Sequence, residues 1–207
     1  MKETLLERGN KVLAPVQGHY SQIEISHGKG CYLYGLDGKE YLDFASGIAV
    51  SATGHCHPKV VDAITKQANT LIHACQGVVY YDTHIKLAEK LGSILGSKLT
   101  SVFYNQSGAE AAETALKLAK YVTKKHEIIA FRGGFHGRTM GSLSVTSSKD
   151  KYRDGYGPLV KGTHFFDYPY LYGNPWNKKK NTSEKTILEE IESFLEGKAQ
   201  KIAAVII

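Results

Sequence analysis

A chain of 207 residues, 42% hydrophobic and 22% charged, can bury a substantial core as one large domain or one with a smaller companion. Its net charge of +6 comes from 26 basic against 20 acidic residues, and the only arginines are Arg8, Arg132, Arg138 and Arg153. Apart from Lys178-Lys179-Lys180 the lysines are scattered, unlike the arginine-bearing basic face of a nucleic-acid binder. No run is apolar for long enough to cross a bilayer, and the N-terminus lacks the core of a signal peptide. Cys31, Cys56 and Cys75 are odd in number and irregular in spacing, which suits reduced thiols better than a disulfide framework. The expectation is a cytoplasmic protein with neither nucleic-acid nor membrane partners.

The first 18 residues hold at most a short helix. Ser21 to Phe44 reads as strand, turn and strand: Ile23 and Ile25 alternate with polar neighbours, Gly28-Lys29-Gly30 turns, and Cys31 to Tyr34 runs extended. Asp37-Gly38 then marks a hairpin turn before Tyr41 to Phe44. Gly47 to Gly54 is a small-residue linker. Pro58 opens a helix whose apolar side is Val60, Val61, Ile64, Ala68, Leu71 and Ile72. A second helix runs from Thr83 to Leu95, with Ile85, Leu87, Leu91, Ile94 and Leu95 as its expected buried side.

Ser101 to Tyr104 is expected as a strand. A tight turn at Ser107-Gly108 follows, then a helix to about Lys124. Glu127 to Phe131 is a nearly all-apolar strand of the kind covered on both faces. Tyr152 to Pro158 is a loop, Thr163 to Phe166 a strand, and Tyr170 to Thr182 an exposed basic excursion. Ile187, Leu188, Ile191, Phe194 and Leu195 form a helical stripe, Gly197 is the expected helix stop, and Lys201 to Ile207 is a last apolar strand. Strands alternating with helices after residue 55 indicate an α/β fold on a mainly parallel sheet, with flanking helices, preceded by a small antiparallel meander. A doubly covered strand needs later elements for its ladder and faces, so the chain is expected to be the front part of a longer protein.

Two loops carry the chemistry. Ser107 and Glu110 have the spacing of a capping box, and the helix they open offers unpaired N–H groups and partial positive charge to a phosphate. The loop Arg132 to Thr139 supplies a ring, Phe135, with His136 and Arg138 close behind. Both loops follow expected strands, so both are expected at one edge of the sheet. A planar cofactor with a phosphate tail could use the helix start and Phe135, leaving the Arg138 fork for a substrate carboxylate. Taken singly, Phe135 and His136 read equally as loop packing and Arg138 as a surface ion pair. His55-Cys56-His57 lacks a closing ligand cluster, so no metal site is expected.

Asn105-Gln106-Ser107-Gly108-Ala109-Glu110-Ala111-Ala112-Glu113 and Phe135-His136-Gly137-Arg138-Thr139 together resemble the paired signatures of class III pyridoxal-phosphate aminotransferases. Asp43 to Val50, followed by Gly54-His55-Cys56-His57-Pro58, resembles that family's N-terminal signature. The resemblance implies an incomplete type I pyridoxal-phosphate transferase fold. Residues 1–50 would form the N-terminal part of a small domain, and 51–207 the first part of the large cofactor-binding α/β domain. It also implies a homodimer acting on a small amino acid and a 2-oxo acid. By position, Ser107, Gly108 and Ala109 would hold the phosphate of pyridoxal phosphate, with Phe135 stacked on its ring and His136 beside it. Arg138 would take the substrate carboxylate, and Ile48 would line the substrate pocket. The Gly-Ile-Ala-Val stretch at Gly47 to Val50 and Tyr156-Gly157-Pro158 look most similar to 4-aminobutyrate aminotransferases, with acetylornithine and ornithine aminotransferases close.

One departure matters. In the family the Schiff-base lysine and the aspartate that pairs with the pyridine nitrogen lie beyond the strand resembling Lys201 to Ile207. The sequence therefore offers no catalytic residue of its own, and this chain alone is expected to be inactive. The competing readings are a non-catalytic remnant that binds or dimerises through its final strand, and a phosphate-ligand α/β enzyme without this cofactor.

Overall fold

The computed structural model describes residues 3–16, 18–96, 98–169 and 184–207. The basic excursion read at Tyr170 to Thr182, with its lysine cluster, lies outside the described residues. Helix α1 spans Leu5–Val12, and its cap is reciprocal: Thr4 accepts the Glu7 amide while the Glu7 carboxylate accepts the Thr4 amide. Strands β1 (Ile25–Lys29), β2 (Tyr32–Gly35) and β3 (Glu40–Leu42) follow, then a short turn of helix α2 (Ser46–Ala49), α3 (Pro58–Thr70) and α4 (Asp82–Leu95). Next come α5 (Gly108–Thr123), β4 (Glu127–Phe131), α6 (Met140–Ser144), β5 (Thr163–Phe166), α7 (Glu184–Lys198) and β6 (Ile202–Ile206). The chain divides into two compact units, Met1–Leu87 and Ala88–Ile207.

In the first unit β1, β2 and β3 form the expected antiparallel meander in that order. Lys29 pairs with Tyr32, so the first turn sits at Gly30-Cys31 rather than at Gly28-Lys29-Gly30. Asp37 builds the second turn. Its carboxylate accepts the Lys39 amide and the Tyr41 hydroxyl and pairs with the Lys39 ammonium at 3.0 Å. These bonds, the Lys39 amide foremost, lower its pKa to about 2. Asp43 does similar work at α2, accepting the amides of Ala45 and Ser46 while its other oxygen meets His55 Nε2 at 2.8 Å. His57 precedes Pro58 as the N-cap of α3.

The second unit is built on a parallel sheet of order β5-β4-β6. Both edges of β4 are hydrogen-bonded and both faces are covered, which is why Ile128, Ile129 and Ala130 are all buried. Ile128 and Ala130 pack with Leu116 of α5 and with Val145, against Phe165, Ala203, Ala204 and Ile206. Alternation along a strand turns Ile129 to the opposite face. His164, in register with Ile129, and Phe166, in register with Phe131, meet the Phe194 ring of α7 at 4.7 and 5.3 Å. The strand order reverses at β4, and in such sheets ligands collect beyond the carboxyl end of the strands at that point.

Three expectations need correction. Ser101 to Tyr104 forms no strand among the described residues: an apolar run becomes a strand only where it pairs with a neighbour, and this one joins neither the outer edge of β5 nor that of β6. Gly197 does not stop its helix: α7 continues through it to Lys198 and then tightens into a 3₁₀ turn over Ala199–Lys201. The apolar sides read on α3 and α4 are largely exposed, including Val60, Val61, Ile64, Ile85, Leu87 and Ile94. Periodicity shows that a helix has an apolar side but does not say what covers it.

Candidate functional site

The chain leaves β4 at Phe131 and enters a loop that folds back on itself. Gly134 N–H donates to the Phe131 carbonyl, Ser147 N–H to the Gly134 carbonyl, and Gly133 N–H to Ser147 Oγ. At its far end α6 is only five residues long, yet Ser142, Leu143 and Ser144 are buried, as are Val145 and Thr146 just after it. The buried Thr146 hydroxyl accepts the His136 N–H at 2.9 Å. Arg153 caps the end of α6, donating to the carbonyls of Leu143, Ser144 and Thr146 at 3.1, 3.3 and 2.5 Å. A positive charge there matches the negative end of the helix dipole.

The loop meets α5 at the start of that helix. Ser107 is the N-cap, in extended conformation, and its Oγ accepts the Glu110 amide at 3.2 Å. The reciprocal half of the expected capping box is displaced by one residue: the Glu110 carboxylate accepts Gln106 N–H at 2.7 Å, not that of Ser107. The first-turn amides of Gly108 and Ala109 have no intrahelical acceptor. Gly137 brings the loop onto this turn. Its φ is +131°, and a Cβ there would lie 2.7 Å from Ala109 Cβ and 2.8 Å from Ala109 Cα. Only glycine permits both that backbone conformation and that approach.

Between helix start and loop lies a cavity of about 610 Å³, within the usual size of small-molecule sites. Gly108, Ala109 and Ala112 line it from α5, and residues 135–139 line it from the loop. The expected residues Gly108, Ala109, Phe135, His136 and Arg138 are therefore brought together, with Ser107 immediately before them. Ile48 belongs to the first unit. It is 90% exposed and holds φ +67°, a strained conformation for a β-branched residue.

Two residues of the second unit were not singled out by the sequence reading. The Tyr152 ring contacts Phe135 edge-on at 5.7 Å and lies 5.8 Å from the Arg138 guanidinium carbon. Its place in a Tyr- and Gly-rich loop gave only a general signal. Glu113 was read as part of a motif, without a role. Its Oε1 accepts the Thr139 hydroxyl at 2.7 Å and the Ser142 amide at 2.9 Å. Burial raises the Glu113 pKa, but the Thr139 hydroxyl, the amides of Ser142 and Gly141 and the Lys117 charge outweigh it, so the net shift is downward.

Burial holds the His136 imidazole below its ordinary value of 6.5. Its Nε2 is buried and has no hydrogen-bond partner among the described residues. The ring is therefore neutral at pH 7. Below 6.5 the unfolded chain takes up a proton at this position that the folded chain resists, so stability is expected to fall as pH drops through that value. Urea unfolding at about pH 7.5 and about pH 5.5 checks this. The pH-dependent loss should shrink in His136→Gln, and an equal loss in both proteins would remove the ring as its source.

A doubly covered parallel sheet, with a helix N-terminus and an aromatic–arginine loop meeting beyond it, defines an α/β fold that the chain shares with solved pyridoxal-phosphate transaminases. The chain is similar to a pyridoxal-phosphate-bound amine transaminase from an uncultivated Pseudomonas species, with a TM-score of 0.81 and 27% identity over 94% of this chain and 47% of that one. The chain belongs to the class III aminotransferase family, whose model matches residues 13–207. It is 39% identical to a probable 4-aminobutyrate aminotransferase of Bacillus subtilis over 81% of its length, and 40% identical to an acetylornithine aminotransferase of Archaeoglobus fulgidus over 86%. It spans 38% and 45% of the length of these two curated relatives.

Pyridoxal phosphate is the cofactor of this family, and the residues present fit it. A Cβ built on Gly108 meets nothing within 4 Å, so the space beside the free amides is open. Phe135 leaves 52% of its surface exposed, at the cavity. No helix among the described residues is long and apolar enough to cross a membrane.

Proposed function

We propose that this chain supplies the phosphate, ring and carboxylate subsites of an aminotransferase that moves an amino group from a 4-aminobutyrate-like amino acid to a 2-oxo acid. The observation that carries the reading is the single cavity on which the α5 start, Phe135 and Arg138 converge. The Gly108 and Ala109 amides, with Ser107 adjacent, would hold the cofactor phosphate where the helix dipole favours negative charge. Phe135, steadied by Tyr152, would lie against the pyridine ring. His136, neutral at pH 7, adds no positive charge beside that ring. Arg138 would bind the substrate carboxylate through its planar fork; among the described residues it makes no ion pair. When bound, pyridoxal phosphate supplies an electron-accepting ring that carries the amino group between the two substrates.

The Bacillus subtilis relative favours 4-aminobutyrate as donor, and the Archaeoglobus fulgidus relative favours N-acetylornithine. Both compounds pair a primary amine with a carboxylate, so the Arg138 subsite serves either. The test is to assay both donors against a 2-oxo acid, using the native enzyme that this chain forms or forms part of. A kcat/KM at least about tenfold higher for 4-aminobutyrate is expected. The reverse order overturns the donor assignment. No transfer from either donor, with cofactor bound, overturns the aminotransferase reading for this protein.

A further inference from the structure

We propose that Glu113 is a positioning residue that fixes Arg138 for a substrate carboxylate. The inference rests on the reading of Arg138 given above. Arg138 itself lines the cavity with an exposed side chain, and its guanidinium carbon lies 5.8 Å from the Tyr152 ring. Both its neighbours in the chain are tied down on α5. Gly137 is buried against Ala109, and Thr139 donates its hydroxyl to Glu113 at 2.7 Å. Ala109 and Glu113 are four residues apart on one side of the helix, about 6 Å along its axis. The Arg138 backbone therefore hangs between two fixed points one helical turn apart. The same turn presents the free amides of Gly108 and Ala109. The distance between an anion on those amides and the Arg138 guanidinium is thus set by α5, provided that both ties hold.

Glu113 holds its tie from more than one side. The oxygen that accepts the Thr139 hydroxyl also accepts the Ser142 amide. The other oxygen approaches Gly141 so closely that a Cβ on that residue would collide with it. The carboxylate thus occupies the N-terminal end of α6, while Arg153 holds the other end by three carbonyls. Charges of opposite sign at the two ends match the helix dipole. They fix a helix too short to be stable alone, and Thr139, its N-cap, comes directly after Arg138.

Glu113→Ala, Glu113→Gln and Thr139→Val separate this role from general support of the fold. In the native holoenzyme, Glu113→Ala is expected to raise the KM of the carboxylate-bearing donor about tenfold, with kcat and pyridoxal phosphate affinity within about twofold. Calorimetric titration with butyrate, which has the carboxylate without the amine, should show the same tenfold weakening. Glu113→Gln keeps an acceptor for Thr139 and Ser142 but turns an amide N–H towards Gly141. It should recover most of the loss, and Thr139→Val should reproduce part of it. In an Arg138→Ala background Glu113→Ala should add nothing further, since its effect runs through that side chain. The proposal is overturned if Glu113→Ala leaves KM and butyrate affinity unchanged, or lowers kcat and cofactor affinity together, or acts equally in the Arg138→Ala background. If Arg138→Ala itself leaves butyrate binding intact, the carboxylate assignment fails first and the Glu113 role falls with it.

Discussion

Gly108→Val is expected to weaken pyridoxal phosphate binding by at least about a hundredfold while leaving the chain folded. Gly108 is the first residue of α5, and a Cβ there enters open space at the wall of the cavity. Valine is a better helix former than glycine, so the fold loses nothing by the change. The branched side chain instead fills the space beside the free amides, where the phosphate is proposed to sit. Two charge-assisted hydrogen bonds and the favourable helix dipole would be lost together, about 3–5 kcal/mol or a factor of about 10²–10⁴ in Kd. Fluorescence titration with the cofactor, alongside thermal unfolding, measures both halves. Gly137→Ala provides the contrast, because its Cβ has no room against Ala109 and its φ suits only glycine. That variant should lose thermal stability as well as affinity. Undiminished cofactor affinity in Gly108→Val would remove the helix start from the phosphate site.

Arg138→Ala is expected to raise the KM for an amino acid donor by about 10–150-fold, the worth of a hydrogen-bonded charge pair at about 1.5–3 kcal/mol. Cofactor affinity should change little, because the proposed phosphate and ring contacts come from α5 and Phe135. An amine without a carboxylate, such as butylamine, should lose no more than about twofold, since it makes no contact with the guanidinium. Arg138→Lys keeps the charge but replaces a planar fork with a point charge, so it should restore only part of the loss. An equal loss for butylamine and the amino acid would show that Arg138 supports the site in general and not the carboxylate. Steady-state kinetics with the two donors decides between these outcomes.

The strands and longer helices were legible because their signals are local. The apolar run Glu127 to Phe131 announced a strand covered on both faces, and Pro58 and Ser107 marked helix starts where the structure has them. Helix α6 was not legible. Five residues fall short of a helical nucleus, and Ser142, Ser144 and Thr146 are buried although each carries a polar hydroxyl. Their hydroxyls are satisfied by nearby carbonyls, a match that residue type alone does not reveal. Ser101 to Tyr104 failed for the opposite reason. It carries a strand-like composition, but a strand also needs a partner, and this run pairs with neither outer edge of the β5-β4-β6 sheet.

The sequence by itself determined the parts of the cradle: a capped helix start with small residues, a ring, a histidine and an arginine placed just after a buried strand. Each depends on spacing within a few residues, and such spacing survives in one dimension. Only the tertiary structure decided how those parts are held. Glu113 reaches Thr139 and Ser142 across 26 and 29 residues of chain, and Gly137 and Gly141 are glycines because α5 occupies the space their side chains would need. A contact between distant segments leaves no periodicity behind. Ser107-Gly108-Ala109 can therefore be proposed as a phosphate seat from its own residues, whereas the registration of Arg138 against it exists only once the loop has docked on the helix.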